Sequence, residues 1–238
     1  MEVNVLLLCY NESPLIPHVV KHYKKYMPSC KITIYDNEST DNSVELAKSL
    51  GCSVVSWSSE NINNESIKMN MKDNVWKDIK SGWVIMADMD EFLCVTEAEL
   101  LEEMNNGTTI LNIDGYDMIG ETKTLDLSDI DLQEIKKCVY NKWETKKLCF
   151  LRDKITDMHY APGAHDCWPQ GTVKYSSKTY INKHMSSLGL EYLINKHLTR
   201  YSRSAHNRSL NRSVHYRNDI KEVEKFYMDA LNNSKTLD

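Results

Sequence analysis

Apolar residues follow two rhythms along this chain. Residues 3–9, with Asn4 the one polar member, and 83–87 are short apolar runs, the pattern of strands buried on both faces. Residues 31–36 are rich in β-formers, and 53–57 read as a further strand. Between these runs lie stretches of helical spacing. The first covers 13–26, with Ser13 placed to cap and Pro14 to begin the helix. Others cover about 39–50 and 64–80. Strands alternating with helices predict an α/β fold with a parallel sheet covered on both faces.

The second half is less regular. Residues 97–105 read as a helix, and 109–113 and 139–150 contain strand-like runs. The acidic stretch 126–137 reads as a loop or short helix. Residues 171–181 alternate as a strand leading to His184, and 186–199 predict a helix. Arginine is concentrated in 200–217, and a last helix is expected at about 219–231.

Composition narrows the functional classes. The chain has 238 residues, 41% of them hydrophobic, so a sizeable core is expected. The net charge is 29 − 34 = −5, which argues against general coating of nucleic acid, so no stable nucleic-acid partner is expected. No run of about 18 apolar residues occurs, so no transmembrane segment is expected. Met1-Glu2-Val3-Asn4 lacks the basic start of a signal peptide. Seven cysteines without a C-x-x-C pair read as reduced, mostly buried thiols. These features together point to a cytoplasmic protein.

The candidate chemistry sits at strand ends. The run ending at Ala87 gives way to Asp88, Asp90 and Glu91 before apolar residues return. Buried carboxylates are costly unless their charge is compensated. Two aspartates one residue apart, at the tip of an interior strand, suit a divalent cation that also holds phosphate oxygens. Asn11-Glu12 and Asp36-Asn37-Glu38 follow the first two strands, where open α/β sheets bind ligands. There is no G-x-G-x-x-G and no Walker loop. Lys68 and Lys72 are placed to reach a phosphate from the third helix. Capping and turn formation are the plainer readings of Asn11, Glu12 and Asp36. His18 and His22 share a helix face, but no third zinc ligand accompanies them.

Cys9-Tyr-Asn-Glu-Ser13, Tyr35-Asp-Asn-Glu-Ser-Thr-Asp-Asn-Ser43 and Ala87-Asp-Met-Asp-Glu-Phe-Leu93 resemble family 2 glycosyltransferases of the GT-A fold. They are most similar to a branch with a D-x-D-E-F motif that includes viral sugar transferases. Asn141-Lys-Trp143, Lys146-Lys147 before Phe150, Gly163-Ala-His165, and Asn182-Lys-His184 followed by Glu191-Tyr192, Lys196 and Arg200 match more weakly. The resemblance covers about residues 3–200. It implies a GT-A-like (Rossmann-like, nucleotide-binding), mixed, mainly parallel sheet over 1–200, with 201–238 packed on the same domain.

The resemblance further implies transfer of a sugar from a nucleotide-sugar donor, a UDP-sugar, to a glycan or other hydroxyl-bearing acceptor, with inversion. Asn11, Glu12, Asp36, Lys68 and Asp88 would then bind the donor nucleotide. Asp88, Asp90 and His184 would hold Mn²⁺ or Mg²⁺, with the imidazole favouring Mn²⁺. Asp166 would act as general base, with His165 positioning the sugar or taking that role itself. Asp117, Glu121 and Asp157 compete for it. Arg200, Arg203, Arg208, Arg212 and Arg217 read as a solvated face, a lid over the diphosphate, or a contact for an anionic acceptor or membrane surface. The rivals are a metal-dependent nucleotidyltransferase and a non-catalytic carbohydrate- or nucleic-acid-binding module.

Overall fold

The computed structural model describes residues 1–213 and 215–237; positions 214, in the arginine-rich stretch, and 238 lie outside the described residues. The first half runs β1 (Val3–Cys9), α1 (Ile16–Tyr26), β2 (Lys31–Asp36), α2 (Ser43–Ser49), β3 (Ser53–Ser56), α3 (Glu65–Asn74) and β4 (Trp83–Asp88). There follow β5 (Glu91–Cys94), α4 (Glu97–Asn105), β6 (Ile110–Ile119), β7 (Lys137–Tyr140), β8 (Cys149–Leu151), β9 (Ile155–Asp157) and β10 (Gln170–Gly171). The chain closes with β11 (Tyr175–Ser187), α5 (Leu190–Arg203), α6 (Ala205–Ser209), α7 (Ile220–Asn232) and β12 (Lys235–Thr236).

The architecture is α/β, with a mixed, mainly parallel sheet flanked by helices. Its order is β12-β7-β6-β8-β4-β1-β2-β3, and β11 pairs with β5 and β6. Strands β3, β2, β1 and β4 are mutually parallel, while β8 runs against β4 and β6. All seven residues of β1 are buried because the strand is central and covered twice. Val5, Leu7 and Cys9 enter the core under α1, and Leu6 and Leu8 enter a second core with Trp76, Met86 and Phe150. A third cluster of Ile119, Leu193, Val223 and Tyr227 binds α7 to α5 and β6. Among the described residues all seven thiols are free, and no helix is long and apolar enough to cross a membrane.

Several boundaries differ from the sequence expectation. Helix α1 begins at Ile16, with Pro17 rather than Pro14 in its first turn, and Leu15 makes no side-chain cap. Asn11 adopts a left-handed φ of 53°, and the Ser13 amide donates to Asp41. The segment 11–15 is therefore a turn tied to the β2 loop. Helix α3 stops at Asn74, not 80, because Trp76 is buried against Phe150 and Arg152 takes the Lys77 carbonyl. Strand β11 runs on to Ser187 and so contains His184, which pairs in register with Glu91 and Asp117. Its extension delays α5 to Leu190–Arg203, which carries Arg200 and Arg203 onto a helix. Helix α4 covers the residues its pattern predicts, with a Thr96–Glu99 capping box.

Candidate functional site

Strands β1 and β4 end side by side, Leu8 being in register with Asp88. Beyond their tips lies a cavity of about 350 Å³ whose lining includes Asn11, Glu12, Lys68, Asp88, Lys196 and Arg200. The other wall is one face of α5: Tyr192, Asn195, Lys196, Thr199, Arg200 and Arg203 all line it, at the three- and four-residue spacing of a single helical stripe.

The acids at the β4 tip are each matched to a cation. The Asp88 amide donates to Glu91 Oε2 at 2.6 Å, which fixes the turn between them. Asp88 Oδ1 faces Lys72 Nζ at 3.0 Å. Burial alone would raise the Asp88 carboxyl, but Lys72 and then Lys146 hold it well below the usual range. Asp90 Oδ2 receives Lys196 Nζ at 2.5 Å, with His184 Nε2 at 3.4 Å and Arg200 at 4.0 Å. Burial opposes ionisation of Asp90 too, yet Lys196 and His184 keep it charged. Behind the tip, the buried Lys146 ammonium bridges Glu91 at 2.6 Å and Glu144 at 2.8 Å.

His184 is held from both sides. Its Nδ1 lies 2.6 Å from Asp117 Oδ1, and Asn141 donates to the other Asp117 oxygen at 2.8 Å. Burial would lower its pKa, but Glu144 and Asp90, with the Asp117 bond, raise it well above the ordinary value. These acids favour the charged ring, whereas a metal would need Nε2 unprotonated.

The donor set fits a divalent ion in part. Two ligands of one ion at about 2.1 Å stand about 3.0–3.4 Å apart, and Asp90 Oδ2 and His184 Nε2 meet that spacing. Asp117 supplies the carboxylate that commonly backs a ligating imidazole. The structure does not bring Asp88 into this set, since it is turned to Lys72. Among the described residues no three acid, imidazole or thiol groups form a preformed metal cage.

The remaining candidates divide. Asn11 Oδ1 accepts the Thr40 amide at 2.7 Å, and Glu12 approaches Arg200 at 3.4 Å. Burial, opposed by Arg200 and helped by Asp90, pushes Glu12 up to about 7. Asp36 is buried; one oxygen accepts the Ser39 amide, and the other has no partner. Lys68 pairs with Glu65 at 2.5 Å on the cavity wall. His165 Nδ1 donates to the Trp143 carbonyl at 2.6 Å, leaving Nε2 as the basic nitrogen. Burial, then Lys146, lowers its pKa. Asp166 is exposed, and neither it nor His165 lines the cavity. Asp157 is engaged by Lys77 and Glu121 by Lys137. Sequence reasoning missed Glu144, and it assigned Lys196 no contact with Asp90, which is 106 positions away.

No family model matches the chain. Protein RfbJ of Shigella flexneri is 28% identical over 93 residues, covering 37% of this chain and 64% of that protein, less than two thirds of its length. Among solved structures, S. aureus TarS 1–349 is 10% identical with a TM-score of 0.46, covering 97% of this chain and 81% of that one. The same protein in complex with UDP gives 11% and 0.47, covering 98% and 71%. Glucosyl-3-phosphoglycerate synthase from Mycobacterium tuberculosis, in complex with Mn²⁺, UDP and glucosyl-3-phosphoglycerate, is 17% identical with a TM-score of 0.33, covering 48% and 44%.

Proposed function

We propose that the chain is a metal-dependent glycosyltransferase that moves a sugar from a UDP-sugar to an acceptor hydroxyl, with inversion. The observation that carries this reading is the cavity between the β1 and β4 tips, lined by the acids Glu12, Asp41 and Asp88 and by the cationic stripe of α5, with Asp90 and His184 just behind the lining, where Asp90 meets Lys196. Acids alone would repel a diphosphate, and cations alone would not select a metal–diphosphate complex. Both together suit a nucleotide diphosphate escorted by a divalent ion.

In this reading Asp90 and His184 hold Mn²⁺ or Mg²⁺, with Asp88 completing the set once Lys72 releases it. The ion supplies charge neutralisation for the leaving diphosphate. Lys68 and Arg200 hold phosphate oxygens, and Asn11, Glu12 and Asp36 face the nucleoside. Asp36 has one buried oxygen without a partner, which would accept from a ligand N–H or O–H if the loop over it opens. The proton of the attacking hydroxyl goes to Asp166 or to the free Nε2 of His165. Both sit on the 161–167 segment, which is anchored by the Gly163 amide on Glu65. A single base on the acceptor side is what inversion requires.

The test is product analysis with a panel of nucleotide sugars and Mn²⁺. This reading expects slow release of UDP and free sugar from one donor. Release of pyrophosphate from a nucleoside triphosphate and a sugar 1-phosphate, supplied in a parallel reaction, would favour a nucleotidyltransferase, and no turnover or binding of any donor would overturn the enzyme reading.

A further inference from the structure

The Asp90 oxygen that faces His184 is already occupied by a cation. Lys196 Nζ lies 2.5 Å from Asp90 Oδ2, closer than the 3.4 Å of His184 Nε2 to the same atom. The Asp90 side chain is only 5% exposed, so it needs a counter-charge whenever the cavity is empty. An ammonium at 2.5 Å and a divalent ion at about 2.1 Å on the same oxygen would stand only about 4 Å apart, and two cations that close repel strongly at low dielectric. Lys196 has a flexible four-carbon stem, and it lines the cavity. Its charge therefore has somewhere to go when Asp90 takes another partner. Arg200 repeats the arrangement one turn on, at Glu12, and Arg203 lies over the Tyr10 ring at 3.2 Å with a buried guanidinium nitrogen that has no hydrogen-bond partner.

We infer that Lys196 is a resident counter-cation of Asp90, exchanged when metal and nucleotide bind. In the empty protein it blocks the metal position. On loading, Lys196 moves from Asp90 to the diphosphate, so nucleotide and ion bind together and each favours the other. This rests on the metal site of the proposed function. It adds that the empty protein binds the ion poorly, and that Lys196 is the reason.

The experiment is titration of nucleotide-free protein with Mn²⁺, reading free Mn²⁺ by electron paramagnetic resonance. Wild type, Lys196→Met and Lys196→Gln are compared, each checked by circular dichroism, with and without UDP. Wild type should bind weakly alone and at least tenfold more tightly with UDP. Both variants should bind Mn²⁺ at least tenfold more tightly than wild type without UDP, and the gain given by UDP should shrink. Adding Asp90→Asn to either variant should remove the tight binding. If UDP promotes Mn²⁺ binding in wild type while the folded variants match wild type without UDP, the counter-cation role fails and the metal site stands. If no protein binds Mn²⁺ even with UDP, the metal site fails, and this inference with it. The Met and Gln forms remove the charge differently, so one remains readable if the other does not fold.

Discussion

Lys146 offers the sharpest test of how the acidic site is held together. It has no backbone role visible at the cavity, yet its ammonium is 5% exposed and bridges Glu91, which is fully buried, and Glu144. Lys146→Met keeps the stem and removes the charge, leaving two buried carboxylates without their shared partner. Breaking a buried ion pair from one side costs about 3–5 kcal/mol. For a chain of this length that is a fall of about 6–20 °C in melting temperature. The loss should depend on pH. Burial already raises the Glu91 carboxyl even with Lys146 opposing it, and deleting the ammonium raises it further. A group whose folded pKa lies above its unfolded one takes up protons on folding, so it stabilises most below the unfolded value and that stability is lost as pH rises through the folded pKa. The variant's deficit should therefore be largest near pH 7.5 and smaller by at least about 1 kcal/mol at pH 5.5. Urea denaturation of wild type and variant at both pH values measures it. A deficit under about 1 kcal/mol, or one equal at both pH values, would refute the picture of Lys146 as the charge that keeps Glu91 and Glu144 ionised.

Glu12 should give the empty wild-type protein a pH dependence of its own. With its carboxyl pushed up to about 7, chiefly by burial, its contribution to stability is present in acid and lost as pH rises through 7. Denaturation midpoints should fall between pH 5 and 8 for wild type and stay flatter for Glu12→Gln. Asp36→Asn should leave the melting temperature unchanged or higher, since a buried oxygen without a partner is removed from its charge, yet weaken UDP binding about tenfold by calorimetry. Asp166→Asn should lower transfer about 10²- to 10⁴-fold with UDP affinity unchanged. If activity falls only in His165→Gln, the base is His165.

Patterns confined to one segment were legible in the sequence. The apolar runs of β1 and β4 and the helical spacing of α4 depend on neighbours a few residues away, and they fall where the pattern places them. Boundaries set by distant contacts were not legible. Ser13 and Pro14 look like a helix start, but Asp41 holds Ser13 in a turn. Trp76 ends α3 through Phe150, 74 positions on. The acids Asp88 and Asp90 stood out because carboxylates rarely end a buried run. Their ion-pair partners did not, because nothing near a lysine in the chain marks the distant acid it will meet. Lys72 on α3, Lys146 on the stretch before β8 and Lys196 on α5 reach Asp88, Glu91 and Asp90 only through the fold. Glu144 gave no signal at all, since its place beside His184 and Lys146 follows from Asn141 capping a short turn near β6.

The central claim is that Asp90 grips a divalent ion that in turn clasps a nucleotide diphosphate. Calorimetric titration with UDP tests it directly, in wild type with Mn²⁺, in wild type with EDTA, and in Asp90→Asn with Mn²⁺. The account predicts tight binding in the first case and binding at least about tenfold weaker in the other two, a difference of about 1.4 kcal/mol or more. Equal UDP affinity in all three would contradict it.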